Sequence, residues 1–475
     1  VTATAAKPPT GERLGVRAEK IGFIPVLAFA VGAMIGGGVF TLSGTGVNRA
    51  GPAVLVSYLL AGLIMFVSAL AFVAVAARAK EGDSGYAPVA ELLGRPWRFL
   101  VMWGFYLNAL LAVAFLADSF GNYLHAYFLS TVSATVAGVI CIGLLVALNL
   151  GPAVWVGRAE TWVVGIKIGL LVVFIGWGLA AVSGSHFKPF NPHGTGAVFS
   201  TSALLFTAYT GFNVVTNMAP SVRDPAKTVP RAVIGAVLIS GVVYLLVVVG
   251  MLDSGIRHFG PAGVSQAASV LMGHWGGQLI AFAACLSTLS GANAMLLGGS
   301  EIALRLVVQK DVPPFVGKTT KGGFPWMSVG LVGVIALILV LFSNILSVIV
   351  IGNIVALFAM FIMNMAAVVL ARRGFPGAGF KIPGGPVIPV IAGAACIWQF
   401  SSYGIVDLLA GAVAMLLGLA LYSARDLRRN MYTEVALFSL REAIRNMETP
   451  LARVLTHSFR PRRTHHPDPV SDRST

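Results

Sequence analysis

Charged residues are scarce in this 475-residue sequence: Asp, Glu, Lys and Arg make up 11% of it, against 57% hydrophobic residues. A water-soluble chain carries about a quarter charged residues, so a globule covered by water is excluded and lipid is much of the solvent. Cysteine is scarcer still. Cys141, Cys285 and Cys396 are the full set, each within an apolar run, which excludes a disulfide or cysteine-metal framework and casts them as small buried apolar residues. HExxH, Gly-x-Ser-x-Gly and P-loop patterns are missing, as are paired carboxylates in the middle of any apolar run. An intramembrane enzyme or an ATP-driven machine therefore has no chemistry to work with. No cofactor and no metal are expected.

Long apolar runs are what the chain has in quantity, with a mean hydropathy of +0.84. A helix needs about twenty apolar residues to cross a hydrocarbon layer roughly 30 Å thick. Such stretches lie near 22–47, 53–77, 99–121, 134–150, 159–182, 197–218, 232–252, 276–304, 325–343, 345–371, 387–403 and 405–423. They predict an all-α polytopic membrane protein with about twelve transmembrane helices.

The net charge of +15 is not the signature of a nucleic-acid partner. With both termini cytoplasmic, the outside loops hold only Arg49, Lys188 and Arg257 of the 33 basic residues, and Lys167 alone is left inside a span. All others fall on the cytoplasmic side, the positive-inside pattern, with an added attraction to anionic lipid heads. The expected location is the inner (plasma) membrane. No cleavable signal is apparent, because the polar segment 1–20 runs into a full span.

The expected organisation is a cytoplasmic N-terminal segment (1–20), a core of ten spans (21–371), two further spans (372–423) and a basic cytoplasmic tail (424–475). Connections on the outside are short; the longest, 253–275, carries Pro261 and has room for a short surface helix. In the tail, 432–447 puts Leu437, Leu440, Ile444 and Met447 on one helical face, as an amphipathic helix on the membrane surface would. The Arg- and Pro-rich remainder, with His465 and His466, reads as a solvated tail.

Two spans have the composition of interrupted helices. The first has Gly36-Gly37-Gly38 at its centre, and three consecutive glycines leave the backbone free to unwind. A single glycine in a membrane helix marks close packing; three in a row exceed what a contact face needs. The sixth is short and broken at Thr210-Gly211. If the first ten spans form two five-helix halves, these hold corresponding places, the sequence pointer to an inverted-repeat transport site. Unwound backbone at mid-depth is tolerated only beside a cavity or buried in protein. Freed amides at a half-helix N-terminus suit a carboxylate, and freed carbonyls suit an ammonium group. A small amino acid satisfies both.

AVGAMIGGGVF in the first span, DPAKTVPRAV at 224–233 and FKIPGGPVIPV at 380–390 resemble motifs of the amino acid–polyamine–organocation transporters, in the right order over the chain up to about residue 423. DPAKTVPRAV is similar to that family's loop between spans six and seven. VGRAETWVVGIKIGLLVVF at 156–174 and STLSGANAMLLGG at 287–299 are similar to the fifth and eighth spans of its proton-coupled, broad-specificity amino acid transporters of archaea and bacteria. The resemblance implies a twelve-helix bundle with spans 1–5 and 6–10 as inverted repeats and discontinuous helices 1 and 6. It implies a carboxylate site at Met34, Gly36, Gly37 and Gly38, and an amine site at the carbonyls of Thr207, Ala208 and Thr210. Thr207 stands where relatives often carry an aromatic gate, so the expectation is either a weak gate or one supplied by Phe206 or Tyr209, beside Gly211. Pro220 stands where many relatives have a glutamate.

Lys167 lies nine residues beyond Arg158, about 13 Å into the membrane at 1.5 Å per residue. A charged side chain at that depth is costly and is a functional hypothesis by default. A lysine amine taken out of water gives up its proton more readily, so Lys167 is expected to exchange a proton during a transport cycle. The resemblance puts its amine where sodium-coupled relatives hold their ion, near Ser287 or Ser290. The alternative is a permanent structural bond to backbone carbonyls.

No Asp or Glu lies mid-membrane in spans 1, 3, 6, 8 or 10: Asp118 is near the outer end and Glu301 near the inner. Neutral amino acids are therefore the expected substrates, with Trp103, Asn108 and Asn353 as packing residues or pocket neighbours. The expected function is uptake by proton symport; an exchanger on the same fold, a passive channel and a receptor are the alternatives.

Overall fold

A computed structural model describes residues 21–79, 83–149, 153–180, 184–213, 215, 222–320, 325–342, 344–374 and 380–427. The chain divides into two units, Val1–Tyr422 and Ser423–Thr475. The expected amphipathic helix at 432–447 and Pro220 lie outside the described residues. Among those described, the protein is all-helical, with one isolated parallel bridge between Ile21 and Val222.

The helices in chain order are α1 (Phe23–Met34), α2 (Ser43–Ala50), α3 (Val54–Ala76), α4 (Pro88–Leu92), α5 (Arg95–Tyr127), α6 (Ala134–Asn149), α7 (Ala153–Ala180), α8 (Gly194–Leu205), α9 (Pro225–Asp253), α10 (Gly263–Met272), α11 (His274–Val308), α12 (Trp326–Phe342), α13 (Ile345–Arg372), α14 (Val387–Phe400) and α15 (Ile405–Leu427). Helix therefore lies within each of the twelve apolar stretches. Seven runs among the described residues are long and apolar enough to cross a membrane; one of them, Phe23–Ala76, takes in α1, α2 and α3.

The polar backbone explains this composition. Hydrocarbon offers no hydrogen-bond partner, so a spanning chain must satisfy its amides and carbonyls within itself, and a helix does so locally. Large apolar side chains such as Leu63, Trp162, Ile397 and Leu416 remain exposed because lipid, not water, faces them. The interior instead uses small residues that let backbones approach. A Cβ on Gly104 of α5 would stand 2.8 Å from the Val355 carbonyl of α13, and one on Gly138 of α6 would stand 3.0 Å from the Ala117 carbonyl of α5. α5 and α11 bury most of their length and pack against each other, while α1 packs chiefly on α9 and α8 on α3 and α2.

One expectation is corrected. The 224–233 run is not a loop: Asp224 takes a left-handed conformation and Pro225 opens α9, where a missing N–H costs nothing. The 253–275 connection holds a short helix, as expected, and one face of it packs on the bundle. α10 buries Gly263, Val264, Ser265, Ala267 and Ala268, because Gly263 and Gly44 of α2 carry no side chains to hold the two helices apart.

Polar staples tie the bundle. Asn149 of α6 donates to Asn293 of α11 at 2.6 Å. Arg98 at the start of α5 meets Asp311, just past α11, at 2.7 Å, with both side chains buried. Breaking a buried pair leaves a charge in a poor solvent and costs roughly 3–5 kcal/mol. Arg98→Ala is expected to lower the thermal unfolding midpoint of the purified protein by several degrees, and the apolar double variant Arg98→Met/Asp311→Leu to recover most of that loss.

Candidate substrate site

The first break comes slightly earlier than the glycine run suggests. α1 stops at Met34. Ile35 has φ −75° and ψ 66°, and the Gly36 N–H donates back to the Met34 carbonyl at 2.8 Å, an inverse γ-turn. The chain then re-enters helix through a wide π-type turn, Gly38–Leu42, that leads into α2. The opening amides of a new helical segment have no partner within it and carry the positive end of its dipole.

The second break follows α8. Phe206–Tyr209 tightens to a 3₁₀ turn, Thr210 is extended at φ −75° and ψ 163°, and Gly211 sits at φ +109°. That conformation is open to glycine and strained for other residues. The Thr207 carbonyl accepts both the N–H of Thr210 at 3.0 Å and its hydroxyl at 2.8 Å.

The two breaks meet backbone to backbone. A Cβ on Gly38 would lie 2.7 Å from Ala208 Cα, and one on Gly211 would lie 2.9 Å from the Ala33 carbonyl oxygen. Tyr244 of α9 closes the junction: its hydroxyl is 2.7 Å from the carbonyl oxygens of both Met34 and Ala208. One hydroxyl proton serves one acceptor at a time, so Tyr244 can pass its bond between the breaks. Tyr244 was not foreseen from the sequence, although a tyrosine in the apolar run LISGVVYLLVVVG is a visible polar anomaly.

Beside this junction lies a narrow cavity of about 20 Å³, room for about one water molecule until its walls move apart. Its walls include Met34, Gly36, Gly37, Gly38, Thr207 and Thr210 from the two breaks, and Ala112, Phe115, Leu116, Gly291 and Met295 from α5 and α11. The α5 and α11 residues were not foreseen, since nothing marks them in an apolar run. Phe206, Ala208, Tyr209 and Gly211 are not among the lining residues. Tyr209 turns instead toward α3 and α9, donating to the Tyr58 carbonyl at 3.0 Å and packing against the Tyr58 and Tyr244 rings. The aromatic side chain at the cavity is Phe115.

Lys167 of α7 is fully buried. Its Nζ donates to the Gly32 carbonyl of α1 at 2.7 Å and to the Ser290 hydroxyl of α11 at 3.3 Å. Ser287, one turn earlier on α11, does not pair with it in this arrangement but donates to the Ile35 carbonyl at 2.8 Å, at the first break. Trp103, Asn108 and Asn353 each donate to backbone carbonyls of other helices. No group of His, Cys, Asp and Glu among the described residues could hold a metal ion.

A sequence model of the amino acid permease family matches residues 25–425. The chain belongs to that family. It is 27% identical to a branched-chain amino acid permease of Bacillus subtilis over 432 residues, covering 85% of this chain and 92% of the relative. A methylthioribose transporter of the same organism is 25% identical over 82% of this chain and 90% of its own length. A serine/threonine exchanger, also from B. subtilis, is 25% identical over 85% and 95%. This permease is thus a multi-pass membrane transporter, not an enzyme.

The geometry separates two neighbouring glycines of the permease. At Gly36 an added Cβ meets nothing closer than 3.8 Å, whereas at Gly38 it collides with backbone. Gly36→Ala is expected to keep the unfolding temperature of the parent while weakening ligand-induced stabilisation, because the methyl enters the cavity. Gly38→Ala is expected to lower the unfolding temperature itself, by the roughly 1–3 kcal/mol typical of overpacking. Thermal unfolding with and without amino acid measures both.

Proposed function

We propose that this permease takes up neutral amino acids, with a preference for apolar side chains, by symport with protons exchanged at Lys167. One observation carries the coupling: the Lys167 amine, buried in the bundle, bridges Gly32 of α1 and Ser290 of α11, so its protonation state bears on the half-helix that ends at the first break. The ammonium form donates to both acceptors; the neutral amine holds them less well. Each proton moving inward down 100 mV releases about 2.3 kcal/mol, roughly fortyfold of gradient.

In this reading the chain spans the membrane twelve times, its first ten spans as two inverted halves, with both termini cytoplasmic. The substrate carboxylate sits on the amides at Gly36–Gly38 beside Met34, the Gly36 N–H leaving the Met34 carbonyl to reach it, and its ammonium group on carbonyls among Thr207, Ala208 and Thr210. The Thr207 carbonyl already has two donors. The Ala208 carbonyl becomes free when Tyr244 gives its proton to Met34. No charged side chain lines the cavity, and Ala112, Phe115, Leu116 and Met295 give its side-chain end an apolar surface, in keeping with the branched-chain substrates named for one relative.

Exchange without a proton gradient is a second reading, favoured by the serine/threonine exchanger among the relatives. Uptake into empty vesicles under an imposed pH gradient separates the two: symport accumulates substrate there and exchange does not. In the same vesicles Lys167→Ala is expected to reduce gradient-driven accumulation more than about tenfold while ligand-induced thermal stabilisation persists; undiminished accumulation would reject the coupling role. Excess leucine or alanine is expected to compete with labelled substrate and arginine to compete at least about tenfold less well. A preference for arginine would reject the neutral assignment.

A further inference from the structure

The turn of α8 just before the second break is gripped from a side of the bundle that contributes nothing to the cavity. Asn353 of α13 donates through Nδ2 to the carbonyls of Ala203 and Leu204, both at 3.1 Å. Gln399 of α14 donates through Nε2 to the Ser202 carbonyl at 3.2 Å, and the Tyr403 hydroxyl, just beyond α14, to the Ala203 carbonyl at 2.8 Å. Three consecutive carbonyls thus receive donors from three side chains that lie far along the chain from α8.

The position of this grip follows from the break. The last carbonyls of a helix lack partners within it, although the Ser202 carbonyl still accepts the Phe206 N–H, and α8 ends inside the bundle rather than in water. What the two carboxamides give up is informative. Asn353 and Gln399 are fully buried, and the oxygens Oδ1 and Oε1 of their amides have no hydrogen-bond partner. An unmet buried acceptor is costly, and turning either amide over would set oxygen against carbonyl oxygen. Both side chains are therefore oriented by their bonds to α8, at the expense of their own acceptors. Such bonds to backbone can be exchanged for bonds to water when a path opens, which an apolar contact cannot do.

We propose that Asn353, Gln399 and Tyr403 form a catch that holds the outer half of span six closed, and that its release is a step in opening the cavity to the outside. They are positioning residues: they touch α8, not the substrate. The inference rests on the cavity and orientation assigned under the proposed function.

The test uses the full chain in oriented proteoliposomes, with Ala112→Cys on the cavity wall as the reporter and a membrane-impermeant maleimide added outside. The native cysteines are buried, and the chain without the reporter sets the background. Gln399→Met, Asn353→Leu and Tyr403→Phe, each removing donors at similar volume, are expected to speed labelling about three- to tenfold, the factor to which one net hydrogen bond corresponds. Unchanged labelling in folded Gln399→Met and Tyr403→Phe would overturn the proposal, because a merely structural tie would alter stability and not external access. Tyr403→Phe, which loses one hydroxyl, decides the matter if a larger change prevents folding. Protection of the reporter by leucine in the parent reports separately on the cavity, so a misplaced site and an absent catch give different results.

Discussion

Two pieces of unwound backbone lie against each other inside the helix bundle, Gly38 on Ala208 and Gly211 on Ala33, and the rest of the site depends on that approach. Backbone that leaves helical geometry in a membrane must find partners inside the protein. Here part of that comes from other helices: the Tyr244 hydroxyl reaches a carbonyl of each break. A side chain at Gly38 would push the segments apart and put one carbonyl out of Tyr244's range. The glycines are thus a condition of closeness as much as of flexibility.

Around this junction the polar side chains divide into two kinds. Ser287 donates to the Ile35 carbonyl and Lys167 to the Gly32 carbonyl, so α7 and α11 hold the α1 side of the first break. Asn353, Gln399 and Tyr403 hold the end of α8 on the other side. Neutral donors hold α8, whereas the donor on Gly32 can change its charge. In the proposed symport, that asymmetry couples a proton to one broken helix and leaves the other to be opened by competition with water or substrate.

Much of this was legible in the sequence because a membrane penalises what it does not need. Gly36-Gly37-Gly38, Thr210-Gly211 and Lys167 are each expensive in a spanning helix, and each proved to lie at a break or to tie to one. The twelve apolar stretches were legible for the same reason. Other features left no such mark. Ala112, Phe115, Leu116 and Met295 line the cavity, yet they are ordinary members of apolar runs, and only packing shows which face they present. The displacement of the first break to Ile35 came from a γ-turn that no composition rule anticipates. Tyr209 and Tyr244 differ by direction alone: one packs away from the cavity and the other spans both breaks, which spacing along the chain does not reveal.

The substrate assignment stands on a carboxylate resting against the amides of the first break. The most direct measurement is an experimental structure of the permease with leucine bound. The expected result is a leucine carboxylate at hydrogen-bond distance, about 3 Å, from backbone N–H groups between Gly36 and Val39, with the side chain toward Phe115 and Met295. Leucine bound elsewhere, or residues 34–39 running as continuous helix in the complex, would contradict it.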